Sequence, residues 1–128
     1  MYVNKTIGRL GETLACEYLL NNGYEIIKRN YNTKRGEIDI IARYKNALVF
    51  IEVKTRSNLN FGQPVEAITK KKQVHMLNTI KYYLYENHLY NTNIQIRIDA
   101  IEVYIHNNRY AVTHIKQIMW KNKKSLGK

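Results

Sequence analysis

The chain has 128 residues, with 21 Lys+Arg against 10 Asp+Glu and a formal net charge of +11. That length accommodates one domain with one core, and a lone cysteine, Cys16, excludes an internal disulfide. The first twenty residues contain no uninterrupted apolar run, so neither a leader nor a membrane span is expected and the cytoplasm is the expected location. The charge favours a polyanionic partner, because each phosphate contact releases condensed counterions. A coding bias toward Asn, Ile and Tyr is the competing explanation, yet it should enrich Glu as well, and acids are scarce. An anionic membrane is the weaker partner, since no segment sets a strongly apolar face against a basic one.

Residues 5–22 carry Ile7, Leu10, Leu14, Tyr18 and Leu19 at helical spacing, with Asn4 or Thr6 available as a cap and Gly23 as the stop. Gly8, Gly11 and Ala15 form a small-residue stripe, which predicts close packing against another element. Strands are predicted over 24–31, 37–43 and 47–55, with turns at Lys34-Arg35-Gly36 and Lys45-Asn46. The third, ALVFIEVKT, is almost continuously apolar and fits a strand buried on both faces. Residues 56–63 read as a loop. A helix is predicted over 69–90, with Gln73, Leu77, Ile80 and Leu84 on its inner stripe.

After Asn91 a long strand follows, NIQIRIDAIEVYI, whose alternation changes phase near Asp99–Ala100 and predicts a bulge or a change of covered face. A last strand over 109–114, a short closing helix over 115–120 and a frayed basic tail over 121–128 complete the chain. Residues 1–120 thus read as a single α/β domain with a mixed sheet.

The few acids are informative. Glu37 and Asp39 sit inside the second predicted strand and Glu52 inside the third, positions that are costly for charge unless paired, hydrogen-bonded or ligated. If the hairpin turns at Lys45-Asn46, Asp39 faces Glu52 and Glu37 faces Lys54. Glu52 and Lys54 then share one face. Two facing carboxylates repel, and a divalent cation keeps both ionised. Mg²⁺ suits such a site, since it takes oxygen ligands and often bridges carboxylates to phosphate. The competing reading is a cross-strand Glu37–Lys54 ion pair with Asp39 satisfied by a turn.

The order acid, strand, Glu-x-Lys resembles the PD-(D/E)xK nuclease superfamily, to which type II restriction enzymes and archaeal Holliday-junction resolvases belong. The segments GRLGETLACEYLLNNGY, RNYNTKRGEIDIIA, LVFIEVKTR, FGQPVEAITKKKQ and RIDAIEV are similar, more closely, to the YraN family of endonuclease-like proteins. The resemblance implies a restriction-endonuclease-like fold, a central mixed β-sheet flanked by helices. It implies Asp39, Glu52 and the Val53 carbonyl as ligands of Mg²⁺ or Mn²⁺, Lys54 as the catalytic lysine, and Glu12 as an accessory acid. Ile38 stands where the superfamily often has proline.

Arg35, Arg56 and the cluster Lys70, Lys71, Lys72 and Gln73 are candidate nucleic-acid contacts, the cluster because helix N-termini bind anions; a solvated face is the alternative for the lysines. Glu66 reads as a cap or salt-bridge residue. Arg97 and Asp99 share a face of their strand and read as a structural ion pair. The histidines lack zinc spacing, Cys16 reads as core, and no phosphate-binding loop motif is present. The expected function is metal-dependent hydrolysis of DNA, at branched or structured sites and by a homodimer on the resemblance, with RNA a further substrate class. The alternative is a non-catalytic nucleic-acid-binding module or an accessory of a larger DNA-processing assembly.

Overall fold

The computed structural model describes residues 2–57 and 69–118, with side chains from Thr6 onward. In chain order the elements are α1 (Tyr2–Asn21), β1 (Glu25–Thr33), β2 (Gly36–Tyr44), β3 (Ala47–Ser57), α2 (Lys70–Glu86), β4 (Gln95–His106) and β5 (Arg109–Ile115). The strands form one sheet in the order β1-β2-β3-β4-β5. All neighbours are antiparallel except β3 and β4, which are parallel and joined through α2. The helices cover opposite faces. Ala15, Cys16 and Leu19 of α1 pack on Ile40, Val49, Ile51 and Ile101, while Met76, Ile80 and Tyr83 of α2 pack on Ile41, Leu48, Phe50 and Ile98. The expected α/β arrangement, a mixed sheet between helices, is therefore present.

Local chemistry explains the boundaries. Helix α1 stops at Gly23, whose φ of 88° a side chain would strain; the Gly23 amide bonds to the Leu20 carbonyl at 3.3 Å and that of Tyr24 to Leu19 at 3.0 Å. The helix starts earlier than expected, so Asn4 and Thr6 lie within it rather than capping it. Thr69 caps α2, its hydroxyl accepting from the Lys72 amide at 3.1 Å. Helix α2 ends at Glu86 instead of running on to 90. Its buried residues are Met76, Thr79, Ile80 and Tyr83, so the inner stripe is rotated from the predicted one and only Ile80 is shared. Tyr83 is the aromatic on that inner stripe, its ring meeting those of Phe50 and Tyr31 edge to face.

The phase change at Asp99–Ala100 has a different cause from a bulge. Strand β4 pairs with β3 without a register shift, and residues 98–104 are buried on both faces, so apolar residues need not alternate there. No helix begins at Ile115, which ends β5. The chain beyond is tied back to β4 by the Gln117 amide on Asp99 Oδ1 at 3.1 Å and the Ile118 amide on the Ile98 carbonyl at 2.8 Å. Of the loop expected over 56–63, Arg56 and Ser57 belong instead to β3, which runs on beside β4; the remainder, 58–63, with Glu66, residues 119–120 and the tail at 121–128, lies outside the described residues. Among the described residues, no helix is long and apolar enough to cross a membrane.

Of the small residues in α1, Gly11 carries a packing constraint and Gly8 does not. A Cβ on Gly11 would fall 2.0 Å from Thr55 Oγ1 and 2.9 Å from Thr55 Cβ, a clash that rotating the threonine cannot remove. A Cβ on Gly8 meets nothing within 4 Å. Gly11→Ala is expected to destabilise the protein by about 1–3 kcal/mol, as overpacking does. Gly8→Ala should instead stabilise it by about 0.5–1 kcal/mol through helix propensity. Thermal melts of the two variants check this, and equal shifts would remove the claim that α1 is seated on β3 through Gly11.

Candidate functional site

The hairpin β2–β3 turns at Lys45-Asn46, and its register runs from Tyr44↔Ala47 to Ile40↔Ile51, as the sequence predicts. There the ladder stops. Strand β3 continues against β4 as far as Ser57↔Ile105, while β2 parts from it. The next β2 residue, Asp39, turns its carboxylate into the gap, and Oδ2 accepts the Val53 amide at 2.8 Å. A side chain thus replaces the missing backbone partner, satisfying an N–H that would otherwise be orphaned. The carbonyl of a strand residue points to the same side as its N–H, so that of Val53 is directed at the gap too.

The divergence opens a cavity of about 400 Å³ between the two helices. Its walls include Glu12 of α1, Glu37 and Asp39 of β2, Glu52 and Val53 of β3, and Lys72 of α2. Glu52 Oε2 lies 3.6 Å from Lys72 Nζ. Burial raises the Asp39 carboxyl above its ordinary range, with Glu37 adding to the rise and the Val53 hydrogen bond opposing it. Burial and then repulsion from Asp39 raise both Glu12 and Glu52; Lys72 and Lys54 pull Glu52 back, and Arg29 pulls Glu12 back. Burial and mutual repulsion thus make it costly for these three carboxyls to be ionised together, a cost that a bound cation relieves.

The structure brings some of the expected site residues together and separates others. Glu12, Asp39, Glu52 and Val53 meet at the cavity. Lys54, half-buried, shares the α2 face of β3 with Glu52 by alternation, next to the cavity wall rather than in it. Of the cluster at the start of α2, Lys72 enters the site, Gln73 is half-buried, and Lys70 and Lys71 are exposed. Arg56 is held by Glu102, Nε to Oε2 at 3.1 Å. Arg35 lies at the β1–β2 turn, 5.0 Å from the centroid of the Tyr82 ring.

Two features went unread in the sequence. Glu102 is 1% exposed, lies opposite Lys54 in the β3–β4 register, and accepts the Tyr104 hydroxyl at 2.6 Å as well as Arg56. Its signal was an acid inside the apolar run IDAIEVYI. The other is the setting of the Arg97–Asp99 pair, whose Nη2–Oδ2 distance is 2.9 Å. Asp99 is fully buried and also meets His114 Nε2 at 2.7 Å, and His114 Nδ1 meets the Tyr18 hydroxyl at 2.9 Å. Arg97 Nη2 donates onward to the Tyr24 hydroxyl. A carboxylate only accepts, so Nε2 donates to it, and in the neutral ring Nδ1 accepts a hydrogen bond from the Tyr18 hydroxyl.

Among solved structures, the chain is similar to the crystal structure of SSO0001, at 20% identity over 96% of this chain and 60% of that one, with a TM-score of 0.35. It is also similar to Pyrococcus furiosus SfsA in complex with Ca²⁺, at 15% identity over 87% and 62%, with a TM-score of 0.38. The chain spans about three fifths of the length of each of these two. In sequence, a UPF0102 protein of Clostridium botulinum (strain Loch Maree / Type A3) is 47% identical over 117 residues, 90% of this chain and 94% of that protein. One from Alkaliphilus oremlandii (strain OhILAs) is 44% identical over 114 residues, 89% and 97%. One from Clostridioides difficile (strain 630) is 45% identical over 112 residues, 88% and 95%. The family profile described as "Uncharacterised protein family UPF0102" matches residues 11–103, a span that holds Glu12, Asp39, Glu52 and Lys72. On the profile and these relatives together, the chain belongs to the UPF0102 (YraN) family.

Proposed function

We propose that this protein is a metal-dependent nuclease with a restriction-endonuclease-like sheet, hydrolysing phosphodiester bonds in DNA at the Asp39–Glu52 cavity. One observation carries the reading: in a chain of net charge +11, four of the ten acids, Glu12, Glu37, Asp39 and Glu52, line a single cavity. The donor set fits a hard cation. Among the described residues, no three His, Cys, Asp or Glu side chains gather as a ready-made cage. Two carboxylates and the Val53 carbonyl are what the gap offers, and Mg²⁺ or Mn²⁺ with water in its remaining positions suits such a partial shell.

When bound, the ion supplies Lewis-acid charge at the scissile phosphate. The remaining roles fall to the chain. Lys54 offsets charge growing on the phosphoryl oxygens and orients the attacking water. Glu12, its carboxyl raised by burial and Asp39, accepts that water's proton as the water oxygen bonds to phosphorus. The sugar oxygen leaves and takes a proton from solvent. The net positive surface draws the polyanion in.

A second reading, a nucleic-acid-binding module without catalysis, is favoured by Lys72, which already gives Glu52 a counter-charge at 3.6 Å. Calorimetry separates the two. The nuclease should bind Mg²⁺ or Mn²⁺, and Asp39→Asn and Glu52→Gln should each lose that binding. Absence of metal binding by the unaltered protein would favour the module. Incubation with single-stranded, duplex, flap and four-way DNAs then reads out cleavage, and cleavage indifferent to Lys54→Ala would count against this site.

A further inference from the structure

The acidic cavity does not stand alone. Glu37 and Lys72 also wall a neighbouring hollow of about 330 Å³ that continues past His75. Asn32 and Thr33 belong both to that hollow and to a third, of about 360 Å³, which ends at Arg35 and Tyr82. Lining residues held in common set the three hollows side by side in a row. This row, the trough, leads from the acids to the tip of the β1–β2 hairpin, with residues of the hairpin and of α2 along it.

Its far end has a chemistry of its own. Arg35 is exposed, and its guanidinium lies over the half-buried ring of Tyr82. Lys34 stands beside it, and the acid there, Glu86, is engaged by the Tyr31 hydroxyl at 2.7 Å. Two cations face one carboxylate there, whereas four acids and one lysine line the cavity. A flat guanidinium backed by an aromatic ring is a stacking surface for a nucleobase. Bases in a duplex already stack on one another, so such a surface serves an unpaired base.

We propose that the trough holds a single-stranded segment of nucleic acid leading away from the acidic cavity, with an unpaired base stacked at the Arg35–Tyr82 pair. This rests on the reading of the cavity as a phosphodiester site and adds to it the class of substrate, one with a splayed or protruding strand.

The test is fluorescence anisotropy in EDTA at low salt, with a labelled oligo-dT strand and a blunt duplex of equal length. The unaltered protein should bind the single strand more tightly. Arg35→Ala and Tyr82→Leu should each weaken single-strand binding by about tenfold, while Tyr82→Phe, which keeps the ring, and Arg109→Ala, an exposed charge on the far edge strand, should leave it within about twofold. Arg35 is exposed at a turn, so its variant reads out binding even if Tyr82→Leu disturbs the core. A preference for duplex, no effect of Arg35→Ala, or an equal loss in Arg109→Ala would each overturn the proposal. Cleavage plays no part in this assay. Binding of this pattern by a protein that never cleaves would keep the trough and remove the nuclease reading. Cleavage indifferent to Arg35 and Tyr82 would remove the trough alone.

Discussion

Asp39→Asn should lower metal-dependent DNA cleavage by roughly two to three orders of magnitude while leaving the melting temperature of the metal-free protein unchanged or higher. The two effects share one cause. Asp39 is pushed toward its neutral form by burial and by Glu37, so its charge at neutral pH costs stability unless a cation is present. Asparagine keeps an oxygen to accept the Val53 amide and removes the repulsion felt by Glu12 and Glu52. It also removes half of the anionic pair that would hold the ion. A site kept for function at the expense of stability shows this opposition. Cleavage assays with Mg²⁺ and melts in EDTA check both halves. A variant that melts well below the unaltered protein would show that Asp39 is a structural group, and that outcome would count against the site.

The largest stability effect is expected on the other side of the molecule. Asp99→Asn should destabilise the fold by about 3–5 kcal/mol, since it leaves Arg97 with an uncompensated charge in a mostly buried place. The pH dependence fixes the sign. Burial alone would raise the Asp99 carboxyl, but hydrogen bonds from His114, Arg97 and the Gln117 amide, together with the charge of Arg97, hold it below its ordinary range. A carboxyl depressed in the folded state contributes its full stability above the unfolded pKa of about 4, and that contribution disappears as pH falls through the lower folded value. The gap between the unaltered protein and Asp99→Asn should therefore be full at neutral pH and close in acid below about pH 4. Urea titrations across that range measure it. A gap that stays constant would show that the network acts through shape rather than charge.

Much of this architecture was legible in the sequence because its signals are local. The near-continuous apolar run from Ala47 announced a strand covered on both sides, and the turn at Lys45-Asn46 fixed the hairpin register that the structure keeps as far as Ile40↔Ile51. Gly23 marked the end of α1, and of the two glycines in the small-residue stripe Gly11 proved to be the one with a close neighbour. The spacing of Arg97 and Asp99 was enough to read an ion pair.

What escaped depended on groups far apart in the chain. Extending the register arithmetic past Ile40 put Asp39 directly opposite Glu52. The strands separate there instead, because a facing pair of carboxylates repels and Asp39 finds a better partner in a backbone amide. Nothing local distinguished Lys72 from Lys70 and Lys71; the Thr69 cap sets the start of α2, and the helix phase then carries the third lysine over the cavity. His114 and Tyr18, 96 positions apart, meet only once β5 has been laid against β4. Glu102 was visible as a misplaced acid, but its partners Arg56 and Tyr104 required the parallel pairing of β3 and β4 to be known.

The unequal grip on β3 has a mechanical result. One edge of this strand is fastened along its full length, whereas the other is released after Ile51, and beyond that point the Asp39 carboxylate on the Val53 amide is the last rung. That rung is a titratable, ion-attracting group rather than a peptide unit. Whatever draws the carboxylate aside also loosens the final tie, so the aperture between the two strands and the occupancy of the space they enclose are coupled through a single side chain.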